Sequence, residues 1–404
     1  MATSAEPIDA PGQDSRDEDG DRTTRRMLTV LLVFLGIASI ALLGLLIWLL
    51  WPKPATTPPG QAAGYPIHVV ATIYGFGTQP DELLKTPLGV TFDAAGNVWI
   101  SDTGQSRVEE YKPDGSYVQT VGSEDGPGKL YAPYGLAVDS GSDRVYVADF
   151  GARMVQVYTT SGSYIAHFPA DDQKLKVFGP DGFSPYDIQI VGSRIVVSSN
   201  DGLYFFDTEG HVVARWGGEF GGKNLRGYGL SMFNFPDSFV SDPKTGRIYV
   251  ADTMNRRIVA LDSAGNWLWV SGRPDVAGKI KGFWQLPRGI QIAPDGNLYI
   301  VDTFRPDDKG IGTGHIVVLS PEGQLLSEFG RTGSEDGAFN FPEQLAVNSG
   351  GALWAIADRE NNRVVLFTID TALPKPDDLE TPKYEKMVLR PENVWSTPQP
   401  APSG

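Results

Sequence analysis

Residues 87–122, PLGVTFDAAGNVWISDTGQSRVEEYKPDGSYVQTVG, decide the fold. They hold four short apolar runs separated by Gly, Asp or Asn turns, and Asp114-Gly115 puts a glycine where a hairpin needs positive φ. The same unit returns five times, from Pro133, Pro185, Pro236, Pro287 and Pro342, so that the prolines recur every ~46–55 residues. Ala264-Gly265 and Glu322-Gly323 repeat the turn signal in the fourth and fifth copies.

A single four-stranded unit of this kind cannot bury both faces of its small twisted sheet. Stacking six of them around an axis does so, and closing the ring leaves only short, protected edges. The pattern therefore predicts an all-β, six-bladed β-propeller over residues 67–369. The sixth copy ends without a fourth strand, while residues 67–75, IHVVATIYG, match the fourth-strand pattern of residues 117–122. The expected closure is an N-terminal strand that completes blade six.

Outside the repeats the chain changes character. Residues 27–51 form a charge-free apolar run, MLTVLLVFLGIASIALLGLLIWLLW. As a helix it spans roughly 37 Å against a hydrocarbon core of ~30 Å. It is longer than the core of a cleaved signal peptide and lies behind a long acidic leader, so it reads as a retained transmembrane signal anchor. Arg22, Arg25 and Arg26 precede it and only Lys53 follows closely. That bias places residues 1–26, read as a disordered tail, in the cytoplasm and the large domain outside it, in a single-pass cell-membrane protein. Residues 52–66 read as a Pro-rich linker, and residues 370–404 as a Pro-rich tail whose stretch 383–389 is a candidate for docking on the domain.

Composition narrows the function. A net charge of −15 without a basic stripe argues against nucleic acid as a partner. The absence of cysteine removes thiol nucleophiles, thiolate metal sites and disulfides. No Gly-x-Ser-x-Gly elbow, Walker loop or His-Glu-x-x-His occurs.

Ser101-Asp102-Thr103 with Arg107-Val108, Ala251-Asp252-Thr253 with Arg257-Ile258, and Ala357-Asp358 with Asn361-Asn362-Arg363-Val364 resemble the NHL repeat. The resemblance implies the propeller fold but leaves function open, since such propellers include binding modules, sensor domains and lyases. Asp102, Asp149, Asp252 and Asp358 end second strands, and in three of these copies an Arg faces the Asp across a hairpin, a structural role. The third copy, with Ser199-Asn200-Asp201-Gly202, predicts a shorter hairpin.

Propeller ligands usually meet the loops that converge on the axis, in a concave site with few polar groups. The residue after each repeat proline belongs there: Leu88, Tyr134, Tyr186, Asp237, Arg288 and Glu343, with Asp187 directly following Tyr186. Two readings stand side by side. In one, the tyrosines face an apolar or sugar ring and Arg288 an anionic group. In the other, Arg288 only pairs with Asp237 and Glu343 at a solvated rim. The insertion in blade five, with Phe304, Arg305, Asp307 and Asp308, is a second candidate for recognition. Trp216, Trp267, Trp269, Trp284 and Trp354 read as blade packing.

His68, His167, His211 and His315 fall in or beside outer or third strands, away from the innermost strands where relatives with axial metals carry their ligands. No metal site is assigned and no cofactor is expected. Calcium held by Asp187, Asp237 and Glu343, as in gluconolactonase-like propellers, is the alternative. The leading expectation is thus an extracytoplasmic scaffold that binds a protein, peptide or glycan through its loop face. The runner-up is a calcium-dependent hydrolase or lyase with an axial site.

Overall fold

The computed structural model describes residues 66–169, 182–217, 232–272, 283–304 and 314–370, together with 27–32, 380–385, 387–390 and scattered positions between these stretches. Each sequence repeat forms an antiparallel four-stranded blade. Blade one runs Pro87–Phe92, Val98–Asp102, Arg107–Tyr111 and Tyr117–Val121, and the other blades repeat this order outward from the axis. The innermost strands touch in the cyclic order one to six and back to one.

The closure is the one read from the sequence. Ile67–Ile73 pairs antiparallel with Arg363–Ile369, with Ile67 opposite Ile369 and Ile73 opposite Val364. One blade therefore takes its strands from both ends of the repeat region.

The core is divided among the blade interfaces. Trp99 and Val108 of blade one meet Leu136, Val145 and Tyr158 of blade two, and an equivalent apolar cluster fills each of the other five interfaces. Each fully buried Leu, Val, Ile or Phe contributes about 1.5–3 kcal/mol, and none of these clusters exists within one blade alone. The tryptophans behave as the packing reading expects: Trp269, Trp284 and Trp354 are buried, and the Trp216 ring lies 4.6 Å from that of Phe205.

Part of the C-terminal tail belongs to the fold. Val388–Leu389 adds a fifth strand to blade four, pairing with Trp267–Ser271. The short helix Glu380–Glu385 precedes it and buries Tyr384 completely, with its ring 4.8 Å from that of Phe283. The docking expected for residues 383–389 is what the chain does, so residues 370–404 are not wholly an extension.

Residues 27–32 are helical with exposed apolar side chains. Among the described residues no helix is long and apolar enough to cross a membrane. The expected span falls mostly outside those residues, as do residues 1–26 and 52–65.

Candidate functional site

The site begins with how each blade is entered. The carboxylate ending a second strand receives backbone N–H groups from the loop leading into that blade: Lys85 N to Asp102 Oδ1 at 2.7 Å, Asn234 N to Asp252 Oδ1 at 2.8 Å and Asn340 N to Asp358 Oδ1 at 2.6 Å. The facing arginine completes the joint. Arg107, Arg257 and Arg363 place Nε 3.0, 2.6 and 2.7 Å from the same carboxylates, and their remaining N–H groups donate to carbonyls of that loop. The structural reading of the repeat Asp holds. Asp149 has no facing arginine and instead accepts from Tyr131, Ala132 and Ala152 N–H groups. In the third copy the hairpin shortens to two residues between Ser199 and Gly202, and Arg215 pairs with Asp201 at 2.8 Å.

Entry loops fixed in this way set the rim of the axis. Leu88, Tyr134, Tyr186, Asp237, Arg288 and Glu343 converge on one small cavity, as their shared place after each repeat proline predicts. They fill it almost completely, leaving about 20 Å³. Arg288 donates to Asp237 Oδ2 at 2.8 Å and to Glu343 Oε2 at 3.0 Å, and Arg359 holds Glu343 Oε1 at 3.0 Å. The acid–base–acid trio is therefore a real cluster, but it is largely buried instead of lying at a solvated rim. Burial pushes both carboxyls above their ordinary range, and Arg288 pulls them back.

Aromatic rings surround this charged centre. Tyr134, Phe150 and Tyr186 sit 5.2–5.7 Å from one another, and Phe235 continues the arc at 6.0 Å from Tyr186. On the other side Phe304 meets Phe341 edge-on at 4.7 Å, and the Arg359 guanidinium lies 5.0 Å from the Phe341 ring centre. Phe150, Phe235 and Phe341 were not anticipated. The signal was present: Phe-Asn-Phe-Pro occurs at residues 233–236 and again at 339–342. In both, the first Phe is buried and the Asn N–H caps the repeat Asp. The second Phe joins the collar at φ 51° and 57°. A residue before proline is normally extended, and a left-handed φ in a bulky residue costs roughly 1–3 kcal/mol, so the local structure holds these rings under strain.

One layer further along the axis stand Gly89, Gly135, Asp187, Ser238, Gly289 and Gln344. The strands approach so closely that a Cβ on Gly89 would lie 2.1 Å from the Tyr134 carbonyl oxygen, and one on Gly135 2.6 Å from Asp187 Cα. The remaining space is taken by the three larger side chains. Gln344 Nε2 donates to Asp187 Oδ1 at 2.6 Å, and Ser238 Oγ donates to Asp187 Oδ2 at 2.8 Å. Ile188 N–H and Phe239 N–H also donate to this carboxylate, while Val90 N–H donates to Gln344 Oε1. Asp187 is thus a plug at the waist and not a member of the rim. Beyond it the axis opens into a cavity of about 560 Å³.

The other expected residues are dispersed. Phe304 is exposed beside the collar, whereas the side chains of Arg305, Asp307 and Asp308 lie outside the described residues. Pro306–Asp307 pairs with Gly310–Ile311 in a small ribbon. Asp187, Asp237 and Glu343 do not converge as a calcium site, because Arg288 lies between the last two and Asp187 faces the waist. Among the described residues one trio of potential ligands comes together, Asp207, Glu209 and His211, on an outer turn of blade three. The four histidines lie off the axis, in outer or third strands or beside one.

Fold and hairpin pairs together define a six-bladed β-propeller of short repeats. No family model matches the chain. NHL repeat-containing protein 3 of Homo sapiens is 31% identical over 180 residues, covering 44% of this chain and 46% of that protein. The peptidylglycine alpha-amidating monooxygenase of Rattus norvegicus is 27% identical over 154 residues, 36% of this chain and 15% of that protein. The chain spans less than half the length of these curated relatives. Hydrazine Synthase of Kuenenia stuttgartiensis shares the fold alone, with a TM-score of 0.52 at 15% identity over 78% of this chain and 86% of that one. The chain is a six-bladed propeller whose repeats are similar to those of NHL repeat-containing proteins.

Proposed function

We propose that the chain is a membrane-tethered binding scaffold that recognises a protein, peptide or glycan outside the cytoplasm through its loop face. The observation that carries this reading is the aromatic collar around the Arg288 cluster. Rigid Tyr and Phe rings alternating with Arg are the residues that anchor protein interfaces, and they lose little side-chain entropy on binding. Such a composition favours a polypeptide partner over a glycan. The apolar run at residues 27–51 and the arginines before it support the tether and the outward orientation.

The competing reading, a calcium-dependent hydrolase or lyase, rests on the carboxylates Asp187, Asp237 and Glu343 near the axis. It asks for ligands converging on the axis, and the carboxylates there are engaged with arginines or with the waist. Affinity capture from solubilised membranes, comparing wild type with Tyr134→Ser/Phe341→Ser, tests the proposal. A reproducible partner lost in the variant is expected; capture unchanged by the variant, or no reproducible partner at all, would overturn it. Stoichiometric zinc or calcium in the purified protein would favour the enzyme.

A further inference from the structure

We infer that the funnel beyond the waist, on the side away from the collar, is a second binding site that takes a small molecule with a protonated amine head and an uncharged body. This goes beyond the loop-face reading and is independent of it.

The funnel has the dimensions of a ligand site. Its volume of about 560 Å³ lies within the 300–1,000 Å³ typical of small-molecule pockets. The rim cluster on the other face leaves room for roughly one water by comparison. Walls from Val138, Ile190, Ile292 and Val347 supply apolar surface, and Thr91 and Gln291 interrupt it with polar groups.

The floor supplies the specificity. Asp187 lines the funnel and is 4% exposed. The hydrogen bonds found on its carboxylate come from neutral donors, two backbone N–H groups, one hydroxyl and one side-chain amide. Asp237, Glu343, Asp102, Asp252 and Asp358 each have an arginine beside them. Asp187 has no lysine or arginine partner among the described residues. A desolvated carboxylate with its net charge uncompensated, at the closed end of a low-dielectric funnel, focuses a negative potential into that space. Of its donors, the Gln344 amide is at the end of a flexible side chain that also lines the funnel, and an entering ammonium replaces it on Oδ1. Lys244 and Asp242 also line the funnel and contribute one charge of each sign, with Lys244 Nζ donating to the Pro294 carbonyl and Asp242 accepting from Thr245.

The test uses the full chain in lipid nanodiscs, with benzylamine as probe and benzyl alcohol as its neutral counterpart, titrated by saturation-transfer NMR against empty nanodiscs. Wild type is expected to prefer the amine by about 10- to 100-fold, the range for a charge-assisted hydrogen bond. Asp187→Asn should abolish that preference, Ile190→Trp/Ile292→Trp should weaken binding of both probes by narrowing the funnel, and the collar variant Phe341→Ser should bind as wild type does. Equal binding of amine and alcohol by wild type, no binding of either, or a preference that survives Asp187→Asn would overturn the inference. If Asp187→Asn does not fold, Ile190→Trp/Ile292→Trp decides, because amine binding at wild-type strength in that variant places the site elsewhere.

Discussion

Asp187 and Gln344 are 157 residues apart in sequence, and a 2.6 Å hydrogen bond between them closes the propeller axis. Blades three and six stand opposite each other in a ring of six, so this bond ties the ring across its diameter. Through Ser238 and the Val90 N–H the same network reaches blades four and one. The carboxylate therefore shapes three things at once: the rigidity of the ring, the separation of rim from funnel, and the potential inside the funnel.

Its titration gives the first prediction. Burial raises the Asp187 carboxyl to about 6, against the pull of its donors. The folded protein then binds this proton more tightly than the unfolded chain, whose aspartates titrate near ~4. The associated stabilisation is present below about pH 4 and is lost as pH rises through about 6, a change on the order of 3 kcal/mol. Denaturant unfolding of Asp187→Asn and wild type across pH 4–7 should show the difference shifting in favour of the variant as pH rises. A difference that stays flat over that window contradicts the assignment.

Removing the rim cation should be costly. Arg288→Ala leaves Asp237 and Glu343 buried with one guanidinium, Arg359, on Glu343 alone. Breaking a buried pair from one side costs about 3–5 kcal/mol, and the remaining arginine places this case near the lower end. Unfolding at pH 7 measures the loss, which should shrink as pH falls, because burial makes the Asp237 and Glu343 carboxyls take up protons more readily than ordinary carboxylates.

The strained collar separates stability from binding. Glycine at position 341 accepts φ 57° without strain and recovers about 1 kcal/mol or more. That gain offsets only part of the lost packing of the ring against Phe304 and Arg359. Phe341→Gly should therefore lose less stability than Phe341→Ala, which keeps the strained φ, while both variants capture partner poorly.

The tail clasp is open to hydrogen exchange. The Gly272 N–H donates to the Met387 carbonyl at 3.0 Å, and Tyr384 anchors that segment beside Phe283 and Trp284. Tyr384→Ala should speed exchange at Gly272 while leaving the Val365 region, closed by the N-terminal strand, as protected as before.

Much of this was legible in the chain. Blade number, the closing strand at residues 67–73 and the identity of the rim residues follow from a repeat whose prolines mark one register. Adjacency to Tyr186 points to the rim for Asp187, but neighbouring strand residues face different layers, and the glycines at positions 89, 135 and 289 mark the layer that Asp187 fills. The collar phenylalanines escaped notice because they precede the repeat proline, where an extended residue is the ordinary expectation. Docking of Tyr384 and Val388 on blade four could not be read from periodicity, since the contact lies outside the repeat and joins distant parts of the chain.

The loop face as the binding face is most directly tested by site-specific photo-cross-linking of the full chain in the cells that produce it. A photoreactive phenylalanine analogue at Phe341 or Tyr134 should give one discrete adduct, while the same analogue at Tyr117, on the outer wall of blade one, gives none of that mass. Adducts of equal yield from Tyr117, or none from either collar position, would contradict recognition through the collar.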